Sequence, residues 1–136
     1  MSTPAKTDLF PLPFEVAAPA LALSLGDYIT DAKEQTALGK EFIFGCHGAV
    51  MCLRPEGREL VVVGFTGKHR LAAVAPHILR TAVQVGCISI RVHTQRRGEL
   101  RFLNMLGFPF RLVEWRPDSN EYVLRMAING RLKQFK

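Results

Sequence analysis

No apolar run in this chain approaches the roughly 20 residues that a membrane-crossing helix needs, so no membrane segment is expected. Met1 to Asp8 lack a basic segment followed by an apolar core, and no secretory leader is expected. Cysteine is sparse and odd in number: Cys46, Cys52 and Cys87, with no C-x-x-C spacing. That sets aside a disulfide framework and points to reduced, buried thiols of a cytosolic protein. Cys46 and His47 are adjacent, and neighbours on a strand face opposite sides, so they are not expected to form a dyad. His69, His77 and His93 are scattered, and their spacing predicts no metal site. There is no Gly-x-Ser-x-Gly elbow, no Walker loop, no internal repeat and no low-complexity tract. Polybasic runs and aromatic stacking motifs are missing too, so nucleic acid is not the expected partner.

What is present reads as one folded domain. The chain has 136 residues, 48% of them hydrophobic and 22% charged, enough for a core without metal or disulfide staples. The net charge of +6 suits an anionic partner such as a phosphorylated cofactor or an acidic protein surface. Its basic residues are densest from Arg91 through Arg96 and Arg97 to Arg101.

The stretch from Leu60 to Leu79 organises the rest. Leu60-Val61-Val62-Val63 ends at Gly64 and is short, β-branched and apolar, which predicts a buried strand over Glu59 to Phe65. From Leu71 the period changes: Leu71, Val74, Ile78, Ala82 and Val85 fall on one helical face, closed by Gly86. A glycine-containing turn with Lys68-His69-Arg70 joins strand to helix. A helix that starts there offers unpaired N–H groups and the positive end of its dipole, which suits a phosphate. Small residues, Gly67, Ala72, Ala73 and Ala75, leave room for close approach. An ordinary strand-turn-helix with solvated basic residues accounts for the same pattern.

Taken in order, residues 1–14 are proline-rich and predict an extended arm ahead of a single domain over 15–136. Residues 15–25 suggest a short helix beginning near Pro19, and Asp27 is a candidate N-cap for Tyr28 to Leu38. Glu41–Phe44 and Ala49–Leu53 predict a hairpin through Gly45–Gly48, and Pro55 and Gly57 mark a second turn. After the central helix, Cys87–His93 reads as a strand parallel to the central one. A short helix over 97–106 carries Leu100, Leu103 and Leu106 and ends at Gly107. Arg111–Trp115 and Glu121–Ile128 form a final hairpin, with Phe110 and Trp115 read as core, and 129–136 is a basic tail.

This order resembles the GNAT acyltransferases, and two stretches carry the resemblance. Arg70-Leu71-Ala72-Ala73-Val74-Ala75 is similar to the family's Gln/Arg-x-x-Gly-x-Gly/Ala pyrophosphate loop, with alanine at the first glycine. Phe102-Leu103-Asn104-Met105-Leu106-Gly107-Phe108 looks like its short helix ending in Gly-Phe. Arg101-Phe102-Leu103 with Leu106-Gly107 also resembles small GNAT-like proteins of podoviruses, either internal-virion-protein-like or early host-takeover proteins. The resemblance implies an α/β fold with a mixed, twisted sheet of six or seven strands and about four helices. It implies acetyl-CoA or CoA as ligand and no metal. The N–H groups of Ala72, Ala73, Val74 and Ala75 would meet the pyrophosphate, and Lys68 and Arg70 would supply charge. It also implies host proteins as partners in the host cytoplasm, and leaves a homodimer open.

Three positions decide what remains of the chemistry. The family's tyrosine acid falls at Leu103, which cannot donate a proton, and its asparagine at Arg96. Glu59 stands where a glutamate can serve as base through water, although a carboxylate beside Arg58 also reads as a solvated strand end. Three classes follow: an N-acetyltransferase using Glu59 or a water, a protein that acts by binding a host enzyme, and a small virion-assembly protein. Loss of the tyrosine and asparagine favours the latter two.

Overall fold

The protein is described as a computed structural model covering residues 9–67 and 70–128. In chain order these form β1 (Phe10–Pro11), α1 (Phe14–Leu25), a 3-10 turn (Gly26–Tyr28), α2 (Ile29–Ala37), β2 (Phe42–Cys46), β3 (Ala49–Glu56) and β4 (Glu59–Thr66). Then come α3 (Leu71–Gln84), β5 (Ser89–Thr94), α4 (Glu99–Met105), β6 (Arg111–Arg116), a 3-10 turn (Pro117–Ser119) and β7 (Glu121–Ala127). One mixed sheet takes the order β1-β2-β3-β4-β5-β7-β6. Among the described residues only β4 and β5 run parallel, joined by the α3 crossover, and every other pair is antiparallel. The expected α/β class and mixed sheet of six or seven strands are found, and β7 inserts between β5 and β6.

Local chemistry explains the turns. The β2–β3 hairpin closes on His47 and Gly48, both at positive φ (48° and 83°), as a two-residue primed turn demands. Within the segment expected to be an arm, Phe10 and Pro11 lie along the sheet edge, opposite Gly45 and Phe44. A Cβ on Gly45 would lie 2.7 Å from the Phe10 ring, so glycine lets that ring cross β2. Residues 1–8 and the basic tail 129–136 lie outside the described residues.

Three expectations are corrected. The first helix starts at Phe14 behind Pro13, and Pro19 sits inside it on an exposed face. Asp27 caps nothing: it lies inside the 3-10 turn, and α2 begins at Ile29 without a side-chain cap. Gly26, at φ 55°, turns the chain from α1 directly into that 3-10 turn. In α3, Val74, Ile78 and Ala82 are buried as predicted, with Ala75 and Leu79 beside them, but Val85 is 63% exposed because the helix has already ended.

Helices cover both faces of the sheet. One core joins α3 and α4 to Leu60, Val62, Ile90, Leu124 and Met126, while a smaller one joins α1 and α2 to Ile43 and Cys52. Successive strand residues point to opposite faces, so even-numbered residues of β5 and of β4 up to Val62 look toward α3 and odd-numbered ones away, whereas beyond Val63 the order reverses, with Phe65 toward α3 and Gly64 toward α1. All three cysteines are buried. No helix among the described residues is long and apolar enough to cross a membrane.

Candidate functional site

The parallel strands β4 and β5 pair only from Glu59–Ser89 to Val62–Val92, yet β4 runs on to Thr66 and β5 to Thr94. The cause lies on the other side of β4. Leu53 faces Val62 and Cys52 faces Gly64, which leaves Val63 as an extra residue. Such a bulge bends its strand, and here it does so where pairing with β5 stops. The Phe65 N–H is held by Ser24 Oγ at 2.9 Å.

The parted strands open onto an apolar cavity lined by Val62, Phe65, Leu71, Val92, Leu103 and Phe108, with about 40 Å³ of free space. Outside it is a wider mouth of about 320 Å³, lined by Leu71, Arg96, Gly98, Glu99 and Phe102. Leu71 and Glu99 line both. The mouth thus carries one cation, Arg96 in the loop before α4, and one carboxyl, Glu99 at the start of α4.

Burial pushes the Glu99 carboxyl above its ordinary range, and Arg96 opposes that shift. The fold therefore prefers the protonated form. Stability is greatest while Glu99 is protonated and is lost as the pH rises through its raised pKa. Glu99→Gln is expected to raise the melting temperature at pH 7. The gain should vanish toward pH 4, and a gain that grows on acidification would contradict the assignment.

At the start of α3, Ala73 and Val74 N–H donate to the Arg70 carbonyl at 3.1 and 3.0 Å. Ala72 and Ala73 are exposed on the first turn, whereas the side chains of Val74 and Ala75 are buried. Arg70 lies across the β2–β3 turn, its Nε 3.3 Å from where a Cβ on Gly48 would be. Lys68, predicted beside it, lies outside the described residues.

Glu59 is not a solvated strand end, being only 8% exposed. Its Oε1 accepts from Arg91 Nη1 at 2.7 Å. Its Oε2 accepts from Ser89 Oγ at 2.7 Å and pairs with Arg125 Nε at 2.7 Å. Odd numbering puts Glu59 on the face away from the cavity, at the paired end of β4. Arg91 continues the network to Glu56 and to His93 Nε2, and His93 Nδ1 pairs with Glu121. Desolvation lowers the His93 pKa despite Glu121, which favours the neutral ring that Arg91 donates to.

Sequence reasoning missed Glu99, Phe102 and the place of Arg96 at the mouth, because nothing local separates them from an ordinary helix start. It also missed Glu41, fully buried and bonded to Tyr28 and Arg54, with Cys52 Sγ 3.4 Å away. Burial and Glu41 push the Tyr28 hydroxyl up to about 12. The expectation that no histidine or cysteine would converge is overturned. Ligand atoms of Cys46, His47 and His77 all lie within 4.8 Å of one another. His47 sits at φ 48° in the turn, not on a strand, so alternation does not separate it from Cys46. Trp115 is 43% exposed and stacks on Tyr122 at 4.5 Å, while Phe110 is core as expected.

No family model matches the chain. No curated protein sequence matches it either. Solved structures do match. An acetyltransferase of Bacillus subtilis in complex with CoA superposes with a TM-score of 0.66, 13% identity, over 91% of this chain and 100% of its own. An IAA acetyltransferase of Bacillus cereus gives 0.65 at 14% identity over 90% and 99%. The ribosomal-protein-S18-alanine N-acetyltransferase of Escherichia coli gives 0.60 at 13% over 91% and 95%. The chain has the GNAT acyltransferase fold. At such low identity the likeness speaks for architecture alone. Within this GNAT fold, the cavity and mouth lie at the diverging ends of the two parallel strands.

Proposed function

We propose that the chain binds acyl-CoA between β4 and β5, with acyl transfer to an amine as the reaction class this arrangement serves. The observation that carries the reading is the bulge at Val63, which parts the strands over an apolar cavity. Residues at the opening fit such a ligand. The first turn of α3 and Arg96 suit the pyrophosphate, and the apolar wall suits the pantetheine arm. Free space of about 40 Å³ holds only a few waters, so Phe65, Leu71 or Phe108 must move to admit the arm, at some cost in affinity.

The chemistry is less well equipped. Leu103 lines the cavity and offers no proton. Glu59 already has three donors and faces away, so base catalysis from it is not favoured. Transfer would rest on positioning alone, which supports ligand binding more strongly than rapid turnover.

Calorimetric titration with acetyl-CoA and CoA tests this. Micromolar binding is expected, weakened on the order of tenfold in Arg96→Glu and in Ala73→Glu by the added like charge (about 1.4 kcal/mol). No binding at millimolar ligand would sink the reading.

Protein binding is then the second reading, and β6 favours it. This strand is exposed throughout at the sheet edge, with Leu112, Val113 and Trp115 each at least 43% exposed. Such an edge is a template for another strand, from a host protein as the podoviral resemblance implies or from a second copy. Capture from host lysate by the tagged chain, lost in Trp115→Lys, would support it.

A further inference from the structure

Outside the cleft, tertiary structure brings three ligating side chains together. Cys46 ends β2, His47 opens the hairpin turn, and His77 lies in the second turn of α3. One sulfur and two ring nitrogens all fall within 4.8 Å, and the two imidazole rings face each other at 5.0 Å with a 37° tilt. We propose that this cluster is a metal site of the zinc class, with three protein ligands and water completing the shell.

The donor set argues for the metal. One thiolate and two imidazoles suit a borderline-soft ion with tetrahedral preference and do not suit calcium or magnesium, which take oxygen. Zinc–ligand bonds of about 2.0–2.3 Å place tetrahedral donors roughly 3.3–3.7 Å apart. The observed spread needs a contraction of about 1 Å, within reach of side-chain rotation at the exposed His47. Burial is graded: Cys46 is fully buried, His77 half-buried and His47 exposed. The sulfur is therefore on the dry side, and an ion enters past the histidines.

The backbone holds the cluster together. His47 holds φ 48°, one of two non-glycine residues at positive φ among the described residues. The two-residue turn demands that conformation, and it sets the imidazole beside His77 of α3. Arg70 crosses the neighbouring Gly48. A bound ion would bolt the β2–β3 turn to the helix whose first turn borders the cleft.

The test uses the full chain stripped with chelator and then given zinc chloride. One equivalent should bind. The melting temperature should rise by roughly 5–10 °C when zinc is in hundredfold excess over its Kd. Cobalt(II) in place of zinc should show a thiolate-to-metal charge-transfer band that Cys46→Ser removes. Because Cys46 is in the core, two outer variants guard against misfolding. His47→Asn keeps an Asn-Gly turn, which tolerates positive φ, and His77→Asn leaves the exposed side of the helix intact. Each should weaken zinc on the order of tenfold or more. Parent-like zinc affinity in both histidine variants, a cobalt spectrum without thiolate bands, or tight cupric binding with no zinc uptake would each overturn the assignment.

Discussion

Glu59→Ala is expected to destabilise the chain by about 3 kcal/mol, a fall in melting temperature on the order of 10 °C. The carboxylate is 8% exposed and accepts from Ser89, Arg91 and Arg125. Removing it leaves two guanidinium groups facing each other across the β5–β7 pair, where Arg91 stands directly opposite Arg125. Breaking a buried ion pair costs roughly 3–5 kcal/mol. The lower end applies because Arg125 is half-exposed and Arg91 keeps Glu56. Acetyl-CoA affinity, measured below the melting transition, should stay at the parent value, since Glu59 faces away from the cavity. Thermal melting as high as the parent's would show that the network contributes nothing. Lost ligand affinity in a folded variant would bring Glu59 back into the site.

Gly67→Ala should cost a similar amount, about 3 kcal/mol, and also weaken the ligand. Gly67 has φ 145°, where a side chain is strained, and a Cβ there would lie 2.7 Å from Ala49 Cβ and 2.9 Å from Ala49 Cα. Strain at such a φ contributes roughly 1–3 kcal/mol and overpacking against backbone a similar amount. The loop into α3 must shift, taking the first turn of the helix from the cleft mouth. Adding Ala49→Gly removes one of the two clashes, so the double variant should recover about 1 kcal/mol, read as a coupling in a double-mutant cycle. Gly67 would not be the packing point of this loop if Gly67→Ala melted with the parent. The same would hold if the second substitution simply added its own loss.

The sequence by itself determined the elements and their order. Strand and helix periods are local, so Leu60–Val63 and the stripe of Val74, Ile78 and Ala82 were legible from spacing alone, as were the turns at Gly57 and Gly86. The strand-helix-strand crossover followed from the handedness rule, and the fold class from the order. Only the tertiary structure decided what each polar side chain meets. Glu59 draws its partners from β5 and β7, some 30 or more residues away, as Ser89 and Arg91 show. The bulge at Val63 depends on register against β3, which no local pattern encodes. His47 left the strand period because a two-residue turn required positive φ, and that same turn set it beside His77 on a distant helix. Short-range preference chooses the element a residue joins. Register, bulges and burial choose its neighbours, and chemistry depends on those neighbours.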